Sequence, residues 1–300
     1  MSEQYRASAI LEGYEKIGCE AINVGRYELL CGLSFLKERA GSTSIPFISA
    51  NLRDKKGKDL LFDPYRIIQR GHFNVGIIGL TSMLPDTMTT VTADDYLETG
   101  RSFLKKLKAQ VDILVMLVNT DRKNYESLPA EFPEADFIFV SGSTMLTRPN
   151  MPQEKGGPYI YSSGKQGKQL TIVELKMENE SDPIVDVSYY HNTINYIQRR
   201  LDRLQKKDPD KPLEEIYAEQ ENVLKLIKAY RQEQKIIEIA LENAVNILQF
   251  QNIPMGDSIK DDPNMLSFVD RSLATCSSLK VIQADNRSGS SEKEKASNGL

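Results

Sequence analysis

Apolar positions along residues 1–190 follow two different periods, which predict helices and strands in turn. Apolar residues at three- and four-residue spacing predict amphipathic helices over 3–17, 29–39 and 94–109, and Thr92 or Asp94 can cap the last of these. Short, mostly unbroken apolar runs predict buried strands over 21–25, 45–52, 64–68, 73–81, 111–118, 136–140, 159–163, 169–177 and 184–190. Helices interleave with strands early, and strands follow one another later, which predicts a layered α/β or α+β domain.

The apolar spacing changes after residue 190 and predicts helices alone. One stripe consists of Ile194, Ile197, Leu201 and Leu204. A longer stripe consists of Leu213, Ile216, Gln220, Val223, Ile227, Tyr230, Gln234, Ile237, Leu241, Ala244 and Leu248. The two glutamines are polar residues of the kind that set register in coiled coils. The stripes predict a helical hairpin or coiled coil over 191–250, then a turn-rich segment with a short helix (251–283) and a disordered polar tail (284–300).

The two stripes differ in length, which leaves apolar surface on the second helix. One interpretation is that this surface pairs with a second copy of the chain or with a partner helix, so that 191–250 mediates association. The other interpretation is that the excess packs on the α/β domain. The apolar spacing by itself is compatible with both.

Composition and charge argue against some functions and locations of the protein. Its 38 basic and 42 acidic residues give a net charge of −4, so electrostatic binding to nucleic acid is not expected. No apolar run approaches the roughly 20 residues of a membrane helix. The first residues lack the basic and apolar regions of a signal peptide; this absence favours the cytoplasm and leaves the location open. Cys19, Cys31 and Cys276 have no paired spacing and are expected to be free thiols.

One stretch, residues 19–32, carries a recognisable spacing. It reads CEAINVGRYELLCG, with Gly25, Glu28 and Gly32 in the order Gly-x-x-Glu-x-x-x-Gly. This pattern resembles the Gly-Asn-His-Glu-Phe-Asp-x-Gly motif of calcineurin-like metallophosphoesterases of the 5'-nucleotidase type. The resemblance covers roughly 9–177 and includes PFISANL at 46–52 and VGIIGLT at 75–81. It implies a β-sandwich flanked by helices, here joined to the C-terminal hairpin.

The resemblance also implies where the family's site would lie, and there this chain departs from the pattern. The family holds two divalent ions about 3.5–4 Å apart with imidazoles and carboxylates. Arg26 and Tyr27 stand where the family has Asn and His, next to Glu28. Asn119 and Ser143 lie in the runs where the family has Ser-His-Leu-Gly and Gly-His-x-His. These five residues are degenerate site positions, and neither catalytic nor metal-ligating residues nor a cofactor are expected.

Two functional interpretations follow from this departure. The first is a catalytically degenerate binding or scaffold module that associates through its C-terminal helices. Arg26 and Tyr27 could then bind a phosphate-like anion, or they could fill the space left by the metals, which is the favoured interpretation. The alternative is a metal-dependent phosphoester hydrolase whose site is completed by N-terminal residues or by a partner chain. The family's Asp-x-His and Gly-Asp motifs are not found upstream of Gly25, so the α/β domain is expected to be incomplete at its N-terminus. The family is often periplasmic or extracellular.

Two further sets of side chains could take part in catalysis or metal binding. Asp121 and Asp136 are a conceivable carboxylate pair, although Asp136 is expected to be structural. The two histidines, His72 and His191, fall in no motif and are expected at the surface.

Overall fold

Helices and short strands interleave in the first half of the chain, as the apolar spacing predicts. The computed structural model describes residues 2–56, 58–151, 153–154, 156–179 and 182–297, with side chains to residue 280 of the last helix. The first half contains α1 (Ser2–Lys16), β1 (Ile22–Asn23), α2 (Leu33–Ser42), β2 (Phe47–Ile48), β3 (Leu52–Asp54), β4 (Tyr65–Arg70), β5 (Phe73–Thr81), β6 (Val91–Ala93), α3 (Tyr96–Leu107), β7 (Ile113–Asn119), a 3₁₀ helix (Arg122–Ser127) and α4 (Leu128–Glu131). The second half contains β8 (Phe137–Ser141), β9 (Tyr159–Tyr161), β10 (Gln169–Lys176), β11 (Ile184–Asp186), α5 (Val187–Gln205), α6 (Leu213–Ile216), α7 (Glu221–Glu242), β12 (Asn246–Pro254) and α8 (Pro263–Ser297).

The unbroken apolar runs form a central sheet in the order β4-β5-β7-β8-β9. Strand β4 pairs antiparallel with β5, and the other neighbours are parallel. Successive side chains of a strand point to opposite faces, so an unbroken apolar strand needs cover on both. On one face, Leu114, Met116 and Val118 pack in a core with residues of α3 and α4. The central sheet is therefore buried on two sides.

The other face of the central sheet packs on a second sheet with the order β10-β12-β11. Ile113, Phe137 and Tyr161 of the first sheet share a core with Leu248 and Phe250 of the second. The rings of Tyr161 and Phe250 are 4.8 Å apart between centroids. The predicted fold class is confirmed: the chain is a layered β-sandwich flanked by helices.

The largest difference from the predicted elements concerns residues 243–254. The long helix predicted to residue 250 ends at Glu242, and β12 pairs antiparallel with β10 and parallel with β11. Buried Leu248 and Phe250 alternate with exposed glutamines, which is the two-residue period of a strand. The second sheet is incomplete without β12, so residues 246–254 belong to the sandwich.

The predicted single stripe along the second helix is also interrupted. Gln220 precedes the first turn of α7, and α6 is a separate short helix. The hairpin itself forms, because Ile197 and Leu201 of α5 pack with Leu213 and Ile227. The expected coiled coil is thus a short two-helix packing, and its role in association stays a prediction, as does the division into domains.

Smaller differences have local causes. The helix predicted over 29–39 begins at Leu33, because residues 26–31 form a turn that ends at Gly32 with φ of 89°. The run 45–52 divides into β2 and β3, which lie in different sheets. Asp95, not Thr92 or Asp94, caps α3 by accepting from the Glu98 N–H at 2.8 Å. The strand predicted to residue 190 ends at Asp186, whose carboxylate caps α5.

The last helix packs on the first. Ser2 Oγ donates to the Cys276 carbonyl at 3.4 Å, and the Lys16 ammonium lies 5.1 Å from the Phe268 ring centroid. The predicted turn-rich segment with a short helix is mostly this one helix, which continues to Ser297, because extending a helix costs far less than starting one. That differs from the disordered tail predicted over 284–300, of which 298–300 lie outside the described residues. Within the described chain, every helix is too short or too polar to cross a membrane.

Candidate functional site

Polar residues collect where the parallel strands of the central sheet end. Thr81 closes β5, Asn119 closes β7 and Ser141 closes β8, and the strand register places Thr81 opposite Asn119 and Asn119 opposite Ser141. The carboxyl ends of parallel strands form the edge of an open sheet where ligands usually bind. The turn after β1 reaches the same edge, so this edge is the candidate site.

Asn119 is the centre of this edge. Its side chain is buried, and its residue is 3% exposed. The Asn119 Oδ1 atom accepts from the Arg26 backbone N–H at 3.1 Å and from the Thr81 hydroxyl at 3.1 Å. Its Nδ2 atom donates to Ser141 Oγ at 3.0 Å. Both ends of the amide are therefore engaged by the protein itself.

The turn at 25–28 is held against Asn119 by backbone contacts. Glu28 Oε2 accepts from the Gly25 N–H at 2.9 Å, which closes the turn. A Cβ atom added to Gly25 would lie 2.6 Å from Asn119 Cγ, closer than real Cβ contacts come. Burial raises the pKa of Glu28, and its hydrogen bonds to backbone N–H groups oppose that rise. Glu28 thus closes the turn, and position 25 requires glycine because a Cβ atom there would meet Asn119.

Arg26 and Tyr27 do not enter the edge in the way a metal ligand would. Arg26 contributes its backbone N–H, while its partly buried side chain makes no ion pair or hydrogen bond with the described residues. Tyr27 is 68% exposed and lines a cavity beside α1 and α2. The structure therefore brings Arg26 and Asn119 together through the backbone and places the Tyr27 side chain elsewhere.

Ser143 is buried but lies outside the Asn119 hydrogen bonds. Its Oγ accepts from the Met145 N–H at 3.1 Å, which shapes the loop after β8. Ser141, two residues earlier, takes the place beside Asn119. Sequence reasoning missed Thr81, Ser141 and also Asn51, whose amide bonds both the Thr81 N–H and the Thr81 carbonyl. A polar residue directly after a buried apolar run was the available signal.

The remaining sequence candidates are dispersed. Asp121 caps the 3₁₀ helix after β7, whereas Asp136 accepts from the Leu114 N–H at the amino end of the same strand. The two carboxylates thus lie at opposite ends of β7 and form no pair. His72, in the turn before β5, and His191, on α5, are both exposed, as expected. Cys31 lies in a turn instead of the predicted helix, and burial raises the pKa of its thiol.

The donor set of this edge does not fit a pair of divalent ions. Such a pair requires neutral imidazoles and carboxylates. The edge offers an amide whose two ends are already bonded, hydroxyl groups and an arginine. No group of three or more His, Cys, Asp or Glu side chains close enough to hold a metal occurs among the described residues.

Known proteins are similar to this chain in sequence and in fold. A 5'-nucleotidase of Vibrio vulnificus is 22% identical over 298 residues, which cover 85% of this chain and 53% of that protein. A 5'-nucleotidase of Vibrio parahaemolyticus is 32% identical over 213 residues, 59% of this chain and 38% of that protein. The chain thus spans about half or less of these relatives' length.

The fold is shared with a solved structure, the calcineurin-like phosphoesterase YfkN from Bacillus subtilis. The TM-score is 0.50 at 20% identity, over 60% of this chain and 65% of that chain. No protein-family model matches the chain. The order of the motifs, the layered sandwich and the named relatives agree, and the chain is similar to proteins of the calcineurin-like metallophosphoesterase/5'-nucleotidase family.

Proposed function

We propose that this chain is a catalytically degenerate phosphoesterase-like domain that acts as a binding or scaffold module. The observation that supports this most directly is the closed bonding of Asn119. Its amide oxygen accepts from the Arg26 backbone N–H and the Thr81 hydroxyl, and its amide nitrogen donates to the Ser141 hydroxyl. A ligand to a metal needs a lone pair directed at the ion, and these contacts use the amide for the protein's own structure. No cofactor is part of the proposal.

The electrostatics of the edge support the same proposal. Arg26 stands at a position that holds Asn in the related motif, and a guanidinium keeps its charge at any physiological pH. A fixed positive charge repels a dication and attracts an oxyanion. Its side chain is without an acidic partner among the described residues, so it is suited to a phosphate-like anion. The edge would then bind phosphate groups without cleaving them.

This proposal predicts a protein without turnover. The purified chain, stripped with a chelator and then exposed to manganese or zinc, is expected to retain less than one ion per chain after dialysis. It is expected to leave an aryl phosphate ester and nucleoside monophosphates uncleaved. Elemental analysis measures the retained metal, and release of inorganic phosphate measures cleavage. An active 5'-nucleotidase is the positive control. Two retained ions per chain, or phosphate release that depends on metal, would contradict the proposal.

A second candidate function is phosphoester hydrolysis by a longer or assembled protein. The observation that favours it is that the relatives are named 5'-nucleotidases and that the chain spans 53% and 38% of their length. Residues outside this chain would then supply the metal ligands. The discriminating experiment is the same phosphate assay on a longer product of the same gene. Turnover by that product, with none by this chain, would select the second candidate.

We further propose that the helical hairpin mediates association with a second copy of this chain. Large apolar side chains on the outer faces of α5 and α7 remain exposed, among them Tyr196 (52%), Ile236 (60%) and Ile239 (49%). Ile236 and Ile239 are three residues apart on α7 and so lie on one face of it, and neighbouring exposed apolar side chains can form an interface. These exposed residues are not members of the predicted stripe, whose Ile227 and Ile237 are buried.

If the chain associates, its mass in solution should rise with concentration, and one lysine introduced at the interface should prevent the dimer from forming. Light scattering after gel filtration is expected to give a dimer mass for the native chain and a monomer mass for Ile236→Lys. Leu170→Lys is the matched control, because Leu170 is 48% exposed on β10 and belongs to neither α5 nor α7, so the dimer should stay intact. A monomer at all concentrations for the native chain would refute the association.

A further inference from the structure

A cavity of about 470 Å³ lies where the chain passes from β11 into α5, beside the loop that precedes β9. Its wall contains three tyrosines and two carboxylates, namely Tyr159, Tyr189, Tyr190, Glu154 and Asp186. The described residues that line it include no lysine, arginine or histidine, so every charged group in the described wall is acidic. Its volume is typical of a small-molecule site, and neither function proposed above involves it.

The three tyrosines give the cavity aromatic walls. Tyr189 and Tyr190 lie in the first turn of α5, and their ring centroids are 6.1 Å apart with the ring planes inclined at 54°. Tyr159 is buried, and its ring stacks on that of Phe137 with 5.8 Å between centroids. The Tyr159 hydroxyl donates to the Ile184 carbonyl at 2.7 Å, which fixes the far end of the ring. The face of an aromatic ring carries negative charge density and attracts cations.

Asp186 places a carboxylate beside these rings. Its Oδ1 atom caps α5 by accepting from the Ser188 and Tyr189 N–H groups at 3.0 and 3.3 Å, and it forms no ion pair with the described residues. Burial, and then the charge of Asp186, raise the pKa of Tyr159 to about 12, so the carboxylate acts on the wall of the cavity. The amino terminus of a helix carries roughly half a positive charge, which offsets Asp186 only in part, and Glu154 adds a second negative charge.

The charge and the rings together select the class of ligand. An anion would be repelled by the two carboxylates, and a neutral molecule would leave their charge without a partner. A primary ammonium is strongly hydrated and has three donors to satisfy, whereas a quaternary ammonium has none and presents methyl groups to its surroundings. Aromatic faces around such a group are its usual protein environment.

We propose that this cavity binds a small organic cation that carries a trimethylammonium group. The methyl groups pack against the rings of Tyr189 and Tyr190, and the Asp186 carboxylate supplies the opposite charge. The buried Tyr159 ring forms the floor beneath them.

The test is calorimetric titration of the full chain with choline. Saturable one-to-one binding is expected, with a Kd in the millimolar range or below. The alcohol 3,3-dimethylbutan-1-ol has the shape of choline without its charge, and it should bind at least about tenfold more weakly. Equal affinity for the two compounds would overturn the proposal, as would the absence of saturable choline binding up to about 10 mM.

The substitution Asp186→Asn tests the role of the charge. Asparagine caps a helix as well as aspartate does, so α5 should keep its first turn while the cavity loses a negative charge. Choline should bind about five- to tenfold more weakly to this variant, and 3,3-dimethylbutan-1-ol should bind as before. Asp95→Asn is the matched control, because Asp95 caps α3 in the same way outside the cavity. Unchanged choline affinity in Asp186→Asn would contradict the proposal.

The substitution Tyr190→Leu tests the role of the rings. Leucine keeps the wall apolar and removes one aromatic face, so choline should bind about three- to tenfold more weakly. Tyr14→Leu is the control, because Tyr14 is 44% exposed on α1 and does not line this cavity. Circular dichroism confirms that both variants are folded, and equal choline affinities would refute the assigned location. The titration uses neither metal nor phosphate, so its failure is distinct from failure of the proposed anion binding or loss of catalysis.

Discussion

Gly25→Ala is expected to lower the free energy of unfolding by about 2–4 kcal/mol, mainly through one steric clash. The new methyl group would lie 2.6 Å from Asn119 Cγ and 2.9 Å from both Asn119 amide atoms. The turn after β1 and the end of β7 would have to separate. The Arg26 N–H would then lose its acceptor, Asn119 Oδ1, in a region with little water. Urea denaturation measures the loss as a lower midpoint with an unchanged slope.

Gly41→Ala is the matched control for this substitution. Gly41 lies in α2, and a Cβ added there meets nothing within 4 Å. Alanine in a helix is favoured over glycine by roughly 0.5–1 kcal/mol, so this variant should be slightly more stable than the native chain. Equal urea midpoints for the two variants would show that Gly25 and Asn119 are not in tight contact. The turn after β1 would then not be packed against the end of β7.

Asn119→Ala is the second substitution with a large expected effect, also about 2–4 kcal/mol. It removes three hydrogen bonds at once and leaves the Arg26 N–H without a partner. Each bond contributes about 1 kcal/mol net, and the unsatisfied buried group adds a further penalty. Asn264→Ala is the control, because Asn264 is exposed near the start of α8 and should change stability by less than about 0.5 kcal/mol.

The two substitutions are expected to interact. Once the Asn119 side chain is shortened, the Gly25→Ala methyl group has space, so the double variant should cost less than the sum of the single variants by about 1 kcal/mol or more. Additive costs would show that Gly25 and Asn119 act independently. Asn119 would then be an ordinary buried asparagine whose amide is not committed to holding the turn at Gly25.

Local patterns in the chain were sufficient to predict most strands of the sandwich. Unbroken apolar runs at 73–81 and 111–118 required cover on both faces, and they are the buried strands β5 and β7. The spacing of Gly25, Glu28 and Gly32 marked the turn that reaches the carboxyl edge. The residue types at the site also followed from the chain alone, because a sequence with two histidines cannot provide several imidazole ligands there.

Long-range packing decided the parts that the patterns missed. Residues 243–250 carry apolar positions that continue a helical period, yet they form β12, because Leu248 and Phe250 fill the space between two sheets. The buried Asn246 side chain also bonds the Glu178 N–H at 2.9 Å. No local window contains β10 or β11, so the partner that selects the strand is invisible to periodicity.

The same division holds for the candidate site and for the cavity beside α1 and α2. Residue chemistry alone indicated that Arg26, Tyr27 and Asn119 are poor partners for divalent ions. The fold decided what they do instead, because only the strand register brings Asn119 between Thr81 and Ser141 and within reach of a backbone N–H from the turn. It also placed the Tyr27 side chain away from that edge, at an apolar cavity, because the Glu28 and Asn119 side chains accept from the Gly25 and Arg26 N–H groups and thereby fix the turn.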